Sequence, residues 1–274
     1  MQLSLPSPSI SVLMPVRNAG RFLAQALQSI LTQNGITFEV IVVDDGSDDD
    51  GPAILENFSD RYPGLKVVRR SGLGGISRSL NQALELARGK YIARMDADDV
   101  AIQGRLAAQF CYLEQHPEVG VLGTQAWSID ESGKRGRWYR VPTGTTNVRK
   151  ALETSSPLIH PTVMMRRELV LSVGGYRPMF DTAEDYDLWL RLSRLTELDN
   201  LDAFFLLYRR HSLQQTARRS FKQAHLTAIA QVAHQLNQAA SNELLASLTN
   251  LKNWRFKFDS IAPRAVEHVR LLTA

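Results

Sequence analysis

At 274 residues with 44% hydrophobic side chains, the chain is long enough for one large α/β domain, or one domain with an appendage. A single cysteine, Cys111, excludes an internal disulfide framework and a cysteine-rich metal site, and no apolar run reaches the roughly 18 residues that a membrane span needs. The net charge of +4 hides an asymmetry: residues 1–203 carry 22 basic and 25 acidic side chains and residues 204–274 carry 10 and 3, so a slightly acidic body precedes a basic tail.

The basic tail reads either as an ordinary solvated face or as a surface turned towards an anionic membrane or acceptor. Residues 1–9 lack the basic start and apolar middle of a signal peptide, so a cytoplasmic protein is expected, peripheral on the inner face of the membrane if the tail binds lipid.

In chain order, residues 9–14 form a short β-rich run ended by Pro15, and Asn18 is placed to cap the helix that follows. Phe22, Leu23, Ala26, Leu27, Ile30 and Leu31 recur at helical spacing. Residues 38–43 are a nearly continuous apolar strand, as in a sheet covered on both faces, and they stop at Asp44-Asp45-Gly46-Ser47. A helix through Ile54, Leu55 and Phe58, a strand at 65–68, a helix through Ile76, Leu80, Ala83, Leu84 and Ala87, and a strand at 91–95 follow. Strand and helix alternating in this way predict a parallel sheet built from right-handed crossovers.

Beyond residue 100 the pattern changes. A helix is expected over 105–115, with Cys111 in its core face, then a strand over 119–129, an antiparallel strand over 137–141 and a short helix over 148–152. A strand over 159–165, a helix near 167–173, an acid-led amphipathic helix from 183 to 192 and a last strand over 204–208 complete the series. From about 216 only helical stripes remain, one through Phe221, Ala224, Ala228, Ile229, Val232 and Leu236, the other through Leu244, Leu245, Leu248 and Leu251. The division predicted is residues 1–215 for the α/β domain, split near 100 into a nucleotide-binding and an acceptor half, and 216–274 for a helical basic extension.

Ligands of such sheets bind at the carboxyl ends of the strands. Three loops there carry marked residues: Pro15-Val16-Arg17-Asn18, Asp44-Asp45-Gly46-Ser47 and Asp96-Ala97-Asp98-Asp99. Asp44 and Asp45 have two readings, a turn cap and a contact to a base or ribose, one of the pair being expected to do each. Asp96 and Asp98 lie two apart and point the same way in an extended segment. Like charges so close call for full solvation or a cation, and a divalent metal carrying phosphates is the cation that suits the end of a parallel strand. Asp99 is expected to face away and cap the next helix. Glu184 and Asp185 open a helix, where its dipole stabilises acids; the functional alternative is a general base. Asp187 reads as an ordinary first-turn acid, Trp189 as core, and His160 as structural. His211 is open between a surface role and a metal or phosphate contact. Gly72-Leu73-Gly74-Gly75-Ile76-Ser77 imitates a dinucleotide fingerprint but has Ser77 at the third glycine and follows the third strand, so it is set aside.

Five pieces in order carry a resemblance: Ser11 to Asn18, Val42 to Ser47, Leu80 to Asp99, Ala183 to Trp189, and Tyr208-Arg209-Arg210-His211. Across roughly residues 9–215 the chain resembles the family 2 glycosyltransferases of the GT-A fold. The resemblance implies a mostly parallel nucleotide-binding sheet with helices on both faces. It also implies transfer of a sugar from a nucleotide donor, UDP by the family's habit, with inversion at the anomeric carbon. Pro15, Arg17 and Asp45 would hold the nucleotide, Asp45 at the base. Asp96 and Asp98 match the Asp-x-Asp motif, Asp98 binding Mn²⁺ or Mg²⁺ and Asp96 the ribose or a metal water. Asp185 matches the catalytic base, and His211 a further metal or phosphate contact. Arg209 or Arg210 would add positive charge for the leaving diphosphate.

Two departures shape the expectation. The Gln-x-x-Arg-Trp signature of processive members is absent, which favours single addition, and Arg17 stands where many members carry an aromatic or another polar residue. A glycan or lipid-linked acceptor of cell-surface polysaccharide synthesis is implied, with no nucleic-acid partner. The competing readings are a sugar-nucleotide nucleotidyltransferase, which needs a glycine-rich basic loop after the first strand, and a non-catalytic nucleotide-sugar-binding module.

Overall fold

A computed structural model of the chain describes residues 7–212 and 220–236. The elements run β1 (Ile10–Val16), α1 (Gly20–Leu31), β2 (Phe38–Asp44), α2 (Gly51–Arg61), β3 (Leu65–Arg69), α3 (Ile76–Leu86), β4 (Tyr91–Arg94), β5 (Val100–Ala101) and α4 (Arg105–Gln115). They continue with β6 (Val119–Ile129), β7 (Arg135–Tyr139), α5 (Thr145–Leu152), β8 (Met164–Arg166), α6 (Arg167–Ser172), α7 (Glu184–Leu192), β9 (Glu197–Arg209) and α8 (Ser220–Gln235). One sheet runs β3-β2-β1-β4-β8-β6-β9-β5, with β7 on β6.

The strands β3, β2, β1 and β4 are parallel neighbours, as the alternation predicts. The second half is mixed: β8 is antiparallel to both β4 and β6, whereas β6 and β9 are parallel. Apolar side chains cover both faces. Leu23, Leu27 and Ile30 of α1 pack with Val12, Val40 and Ala93 on one face, and Leu80 and Leu84 of α3 pack with Leu13, Ile41 and Trp189 on the other. The described part of the basic extension is α8. Its Ile229, Ala230, Val232 and Ala233 join the same core as α7, so this helix is packed by its apolar side; the second stripe, from Leu244, lies outside the described residues, as does most of the tail proposed for lipid.

Several expectations are corrected. Residues 160–162 form a 3₁₀ turn and only Met164–Arg166 is strand; Pro161 has no N–H to give a ladder and suits the first turn of a helix. β9 begins at Glu197, seven residues before the expected strand, because Asp199 and Asn200 disguise it. Both are buried and bonded, Asp199 to Tyr112 Oη at 2.8 Å and Asn200 to the Pro142 carbonyl at 2.8 Å. Cys111 is exposed, not core: α4 buries Arg105, Leu106, Gln109 and Leu113 instead, and Gln109 Nε2 donates to the carbonyls of Leu122 and Thr162.

Asn18 does not cap α1. It adopts φ 49°, a region that asparagine tolerates, and bridges two loops: its N–H donates to Ser47 Oγ at 2.9 Å and its Oδ1 accepts from the Asp48 N–H at 3.1 Å. The cap comes from Asp49, whose carboxylate accepts from the Gly20 N–H at 2.7 Å and the Gly51 N–H at 2.9 Å. One side chain thus serves the first turns of α1 and α2. Asp49→Ala is expected to destabilise the protein by about 1–2 kcal/mol, the loss of a helix cap, read as a lowered urea midpoint with unchanged slope; an unchanged midpoint contradicts this.

Candidate active site

The carboxyl ends of β1, β2 and β4 meet on one rim, and the loop after β4 brings Asp96, Asp98 and Asp99 together, with one ligand atom of each within 4.8 Å of the others. Asp99 does not face away or cap α4, whose N-cap residue is Gly104. It is 1% exposed, its Oδ1 accepts from the Arg209 N–H at 2.8 Å, and its Oδ2 is buried with no partner among the described residues. Arg209 shapes this loop. Its Nε donates to the Asp98 carbonyl at 2.8 Å, Nη1 to the Asp130 carbonyl at 2.9 Å and Nη2 to Gln25 Oε1 at 2.6 Å, with the guanidinium 4.5 Å from the Phe22 ring centre. These hydrogen bonds run to the scaffold, and Arg209 is 1% exposed. Arg210 is exposed, its N–H bonded to the Ile129 carbonyl.

Burial pushes the Asp98 carboxyl up, and the Asp96 charge adds to this, against the opposing effect of His211 and Arg94. Asp99 is pushed well up by burial and by both neighbouring carboxylates. Three hard oxygen ligands that repel one another, one with an orphaned buried oxygen, fit a divalent cation such as Mg²⁺ or Mn²⁺. His211 stands at the same place, its Nε2 sharing a hydrogen bond of 2.8 Å with Asp98 Oδ2, its ring 5.0 Å from Phe22. Its Nδ1 is buried without a partner among the described residues.

A second pair of acids, Glu184 and Asp185, opens α7. Asp185 is half-buried and its Oδ1 accepts from the Tyr186 N–H at 2.7 Å. Burial raises its carboxyl; the bond to Tyr186 and the charge of Arg94 oppose the rise, and Asp96 adds to it. Glu184 is 5% exposed, accepts from the Thr182 N–H at 2.8 Å, and is pushed up to about 8 by burial and then by the Asp185 charge. Behind it, His160 Nδ1 lies 3.7 Å from Glu184 Oε1 and its Nε2 is 3.1 Å from Tyr176 Oη. Burial holds this imidazole well below its usual range, so it is neutral. Asp187 is a buried structural acid paired with Arg177 and Arg191, and Trp189 is fully buried.

On the nucleotide side, Pro15 lies within β1 opposite Val43 and Arg17 is exposed just beyond the strand. Asp44 takes the turn role, accepting from the Ser47 N–H at 3.1 Å. Asp45 is buried; its carboxylate accepts from the N–H groups of Gly74 and Gly75, each at 2.9 Å, and pairs with Arg70 Nε at 3.1 Å. The glycine turn set aside as a false fingerprint is thus the partner of Asp45. Gly75 is required there: φ is +83° and a Cβ would sit 2.0 Å from Asp181 Oδ2. Asp181 in turn accepts from the N–H and hydroxyl of Ser77, binding the start of α3 to the loop that precedes Glu184. Beside this turn lies an open groove of about 710 Å³, bordered by Arg70, Leu73, Arg78 and Gln82.

Sequence reasoning missed Arg94. It ends β4, is 3% exposed and is ion-paired with Asp96. A charged residue inside the otherwise apolar run 91–95 was the available signal. Asp181 and Arg70 were also missed, and nothing local marks them.

The Glycosyl transferase family 2 model matches residues 11–174. The chain is 35% identical over 187 residues to the putative glycosyltransferase EpsE of Bacillus subtilis, covering 67% of this chain and 66% of that one. It is 32% identical over 209 residues to the O-antigen biosynthesis glycosyltransferase WbnJ of Escherichia coli, covering 74% and 80%. The fold is that of S. aureus TarS residues 1–349, solved in complex with UDP-GlcNAc, at TM-score 0.66 and 20% identity over 96% of this chain and 79% of that one. The mannosyltransferase PcManGT from Pyrobaculum calidifontis, in complex with GDP-Man and Mn²⁺, superposes at TM-score 0.59 and 17% identity over 97% and 74%. Half the chain and more matches one family, and the chain belongs to glycosyltransferase family 2.

Proposed function

We propose that this family 2 glycosyltransferase moves one sugar, with inversion, from a UDP-sugar to a hydroxyl of a glycan or lipid-linked acceptor in cell-surface polysaccharide synthesis. The observation that carries this reading is the Asp96-Asp98-Asp99 cluster gathered at the carboxyl end of β4, with Asp185 at the start of α7 read as its partner acid. The names of relatives in O-antigen and amylovoran biosynthesis support the acceptor class, and neighbours solved with UDP and UDP-GlcNAc support the donor.

Pro15 and Arg17 border the nucleotide, and Asp45 meets its base by exchanging Arg70 or a glycine N–H for a donor on the base edge. Asp98, with Asp99 beside it, would hold Mn²⁺ or Mg²⁺; Asp96 would join them or meet the ribose, and His211 would be a further metal or phosphate contact. A divalent cation there supplies positive charge against the departing diphosphate. Asp185 removes the proton of the acceptor hydroxyl as its oxygen attacks. Two adjacent carboxyls with different surroundings divide the work: the proton of the pair rests on Glu184, against neutral His160, and Asp185 is the base. The absence of the processive signature supports single addition. Among the described residues no helix is long and apolar enough to cross a membrane; the basic tail supports a cytoplasmic enzyme resting on the inner membrane face.

In a thermal-shift panel of nucleotide sugars, a UDP-sugar is expected to raise the melting temperature in the presence of Mn²⁺ and not in its absence. Asp185→Asn is expected to keep that binding and lose at least about 100-fold in turnover, the scale of general-base catalysis; an unchanged rate removes Asp185 as the base. For Glu184 the folded-state carboxyl, at about 8, lies above its ordinary 4.5. Protonation therefore favours the folded state: this stability is complete below about pH 4.5 and is lost as pH rises through about 8. Glu184→Gln removes the dependence. Between pH 5 and 8 the wild type is expected to lose on the order of 1–3 kcal/mol more than the variant; parallel stability curves contradict this.

A further inference from the structure

We propose that Arg94 is a positioning residue for sugar transfer: a single buried guanidinium, ion-paired with Asp96 on the metal side, that acts on the base Asp185 from the sheet face covered by α7. The inference rests on the function proposed above and adds a residue to it.

Arg94 pairs in register with Leu13, whose side chain belongs to the core on the α7 face of the sheet. That register sends the Arg94 side chain to the same face as Tyr176, Glu184 and Asp185. The backbone agrees: the Arg94 N–H donates to the Val163 carbonyl at 2.9 Å, and His160, in the turn just before Val163, lies 3.7 Å from Glu184, so the Arg94 charge opposes the rise of the Glu184 and Asp185 carboxyls. Asp96 holds it as an ion pair. Its Nε is nevertheless buried and makes no hydrogen bond among the described residues. Leaving a buried donor unmade is costly, so the fork has capacity that the scaffold does not use.

Stability is a poor account of such a group. Desolvating a buried ion pair costs as much as its attraction returns, and a well-packed apolar residue does as well. The other arginines near α7, Arg177 and Arg191, are committed to Asp187, and His160 is neutral. Arg94 is left as the cation facing both acid groups. Arginine suits the task where lysine does not: its planar fork addresses two carboxylates at once, and an ammonium faces one.

The test is a double-mutant cycle on UDP release from the nucleotide sugar that the wild type turns over, using wild type, Arg94→Lys, Asp185→Asn and the double variant, each confirmed folded by circular dichroism. Arg94→Lys is expected to lower kcat at least about 30-fold with the donor KM within about threefold. In the Asp185→Asn background the same change is expected to cost less than about threefold, because residues acting through one another are not additive. A full 30-fold multiplicative loss in that background, or a kcat within about threefold of wild type for Arg94→Lys, overturns the inference. Arg94→Gln, which retains a planar amide, is the second variant if the lysine protein does not fold, and is held to the same criteria. A wild type that releases no UDP from any nucleotide sugar overturns the proposed function itself, and this inference with it.

Discussion

The cleft depends on how five carboxyl groups are brought together without driving the chain apart. Asp96, Asp98 and Asp99 come from the loop after β4, Glu184 and Asp185 from the start of α7. At about 4 Å, two like charges near a protein surface repel by about 4 kcal/mol. Three devices offset this. Arg94, buried at the end of β4, pairs with Asp96. Arg209 threads under the first group and gives its N–H to Asp99. Glu184 retains its proton near neutral pH. What is left is a localised demand for positive charge at Asp98 and Asp99, and a half-buried Asp185 carboxylate that accepts from the Tyr186 N–H. In the proposed function a divalent cation with a diphosphate would meet the first, and a hydroxyl proton the second.

The sheet sets where these groups stand. Parallel β1, β2 and β4 send their loops to one rim, and β8, reversed between β4 and β6, joins the nucleotide half to the half that carries α7. The loops are tied to each other more than to their own elements. Asn18 reaches Ser47 and Asp48, Asp49 caps α1 and α2 together, Asp45 holds the glycine turn before α3, and Asp181 holds Ser77 from the far side. The glycine turn and the start of α3 are therefore tied to the end of β2 through Asp45 and, through Ser77, to Asp181 before α7.

Much of this was legible in the sequence for definite reasons. Continuous apolar strands alternating with helical stripes identify a parallel sheet, and the sheet rule alone directs Pro15, Asp45 and Asp96 to one edge. The acid-led start of α7 marked Asp185. The losses are equally definite. α4 fills its core face with Arg105 and Gln109, whose hydrogen bonds run to backbone carbonyls, so apolar spacing misplaced Cys111. Asp199 and Asn200 hid half of β9 because buried polar residues satisfied by distant partners look like loop. β5 has two residues and no pattern. Asp181 meets Ser77 across 104 residues, a pairing that no local signal announces. Arg94 was visible as a charge within an apolar strand, but its burial on the sheet face that α7 covers was not.

The account stands on a divalent cation bound by Asp98 and its neighbours within reach of the donor diphosphate. Anomalous diffraction from crystals grown with Mn²⁺ and UDP measures this directly. The peak is expected among Asp96, Asp98 and Asp99, in contact with the UDP phosphates and on the side that faces Asp185. A manganese peak elsewhere, or UDP bound with no metal between its phosphates and Asp98, would contradict it.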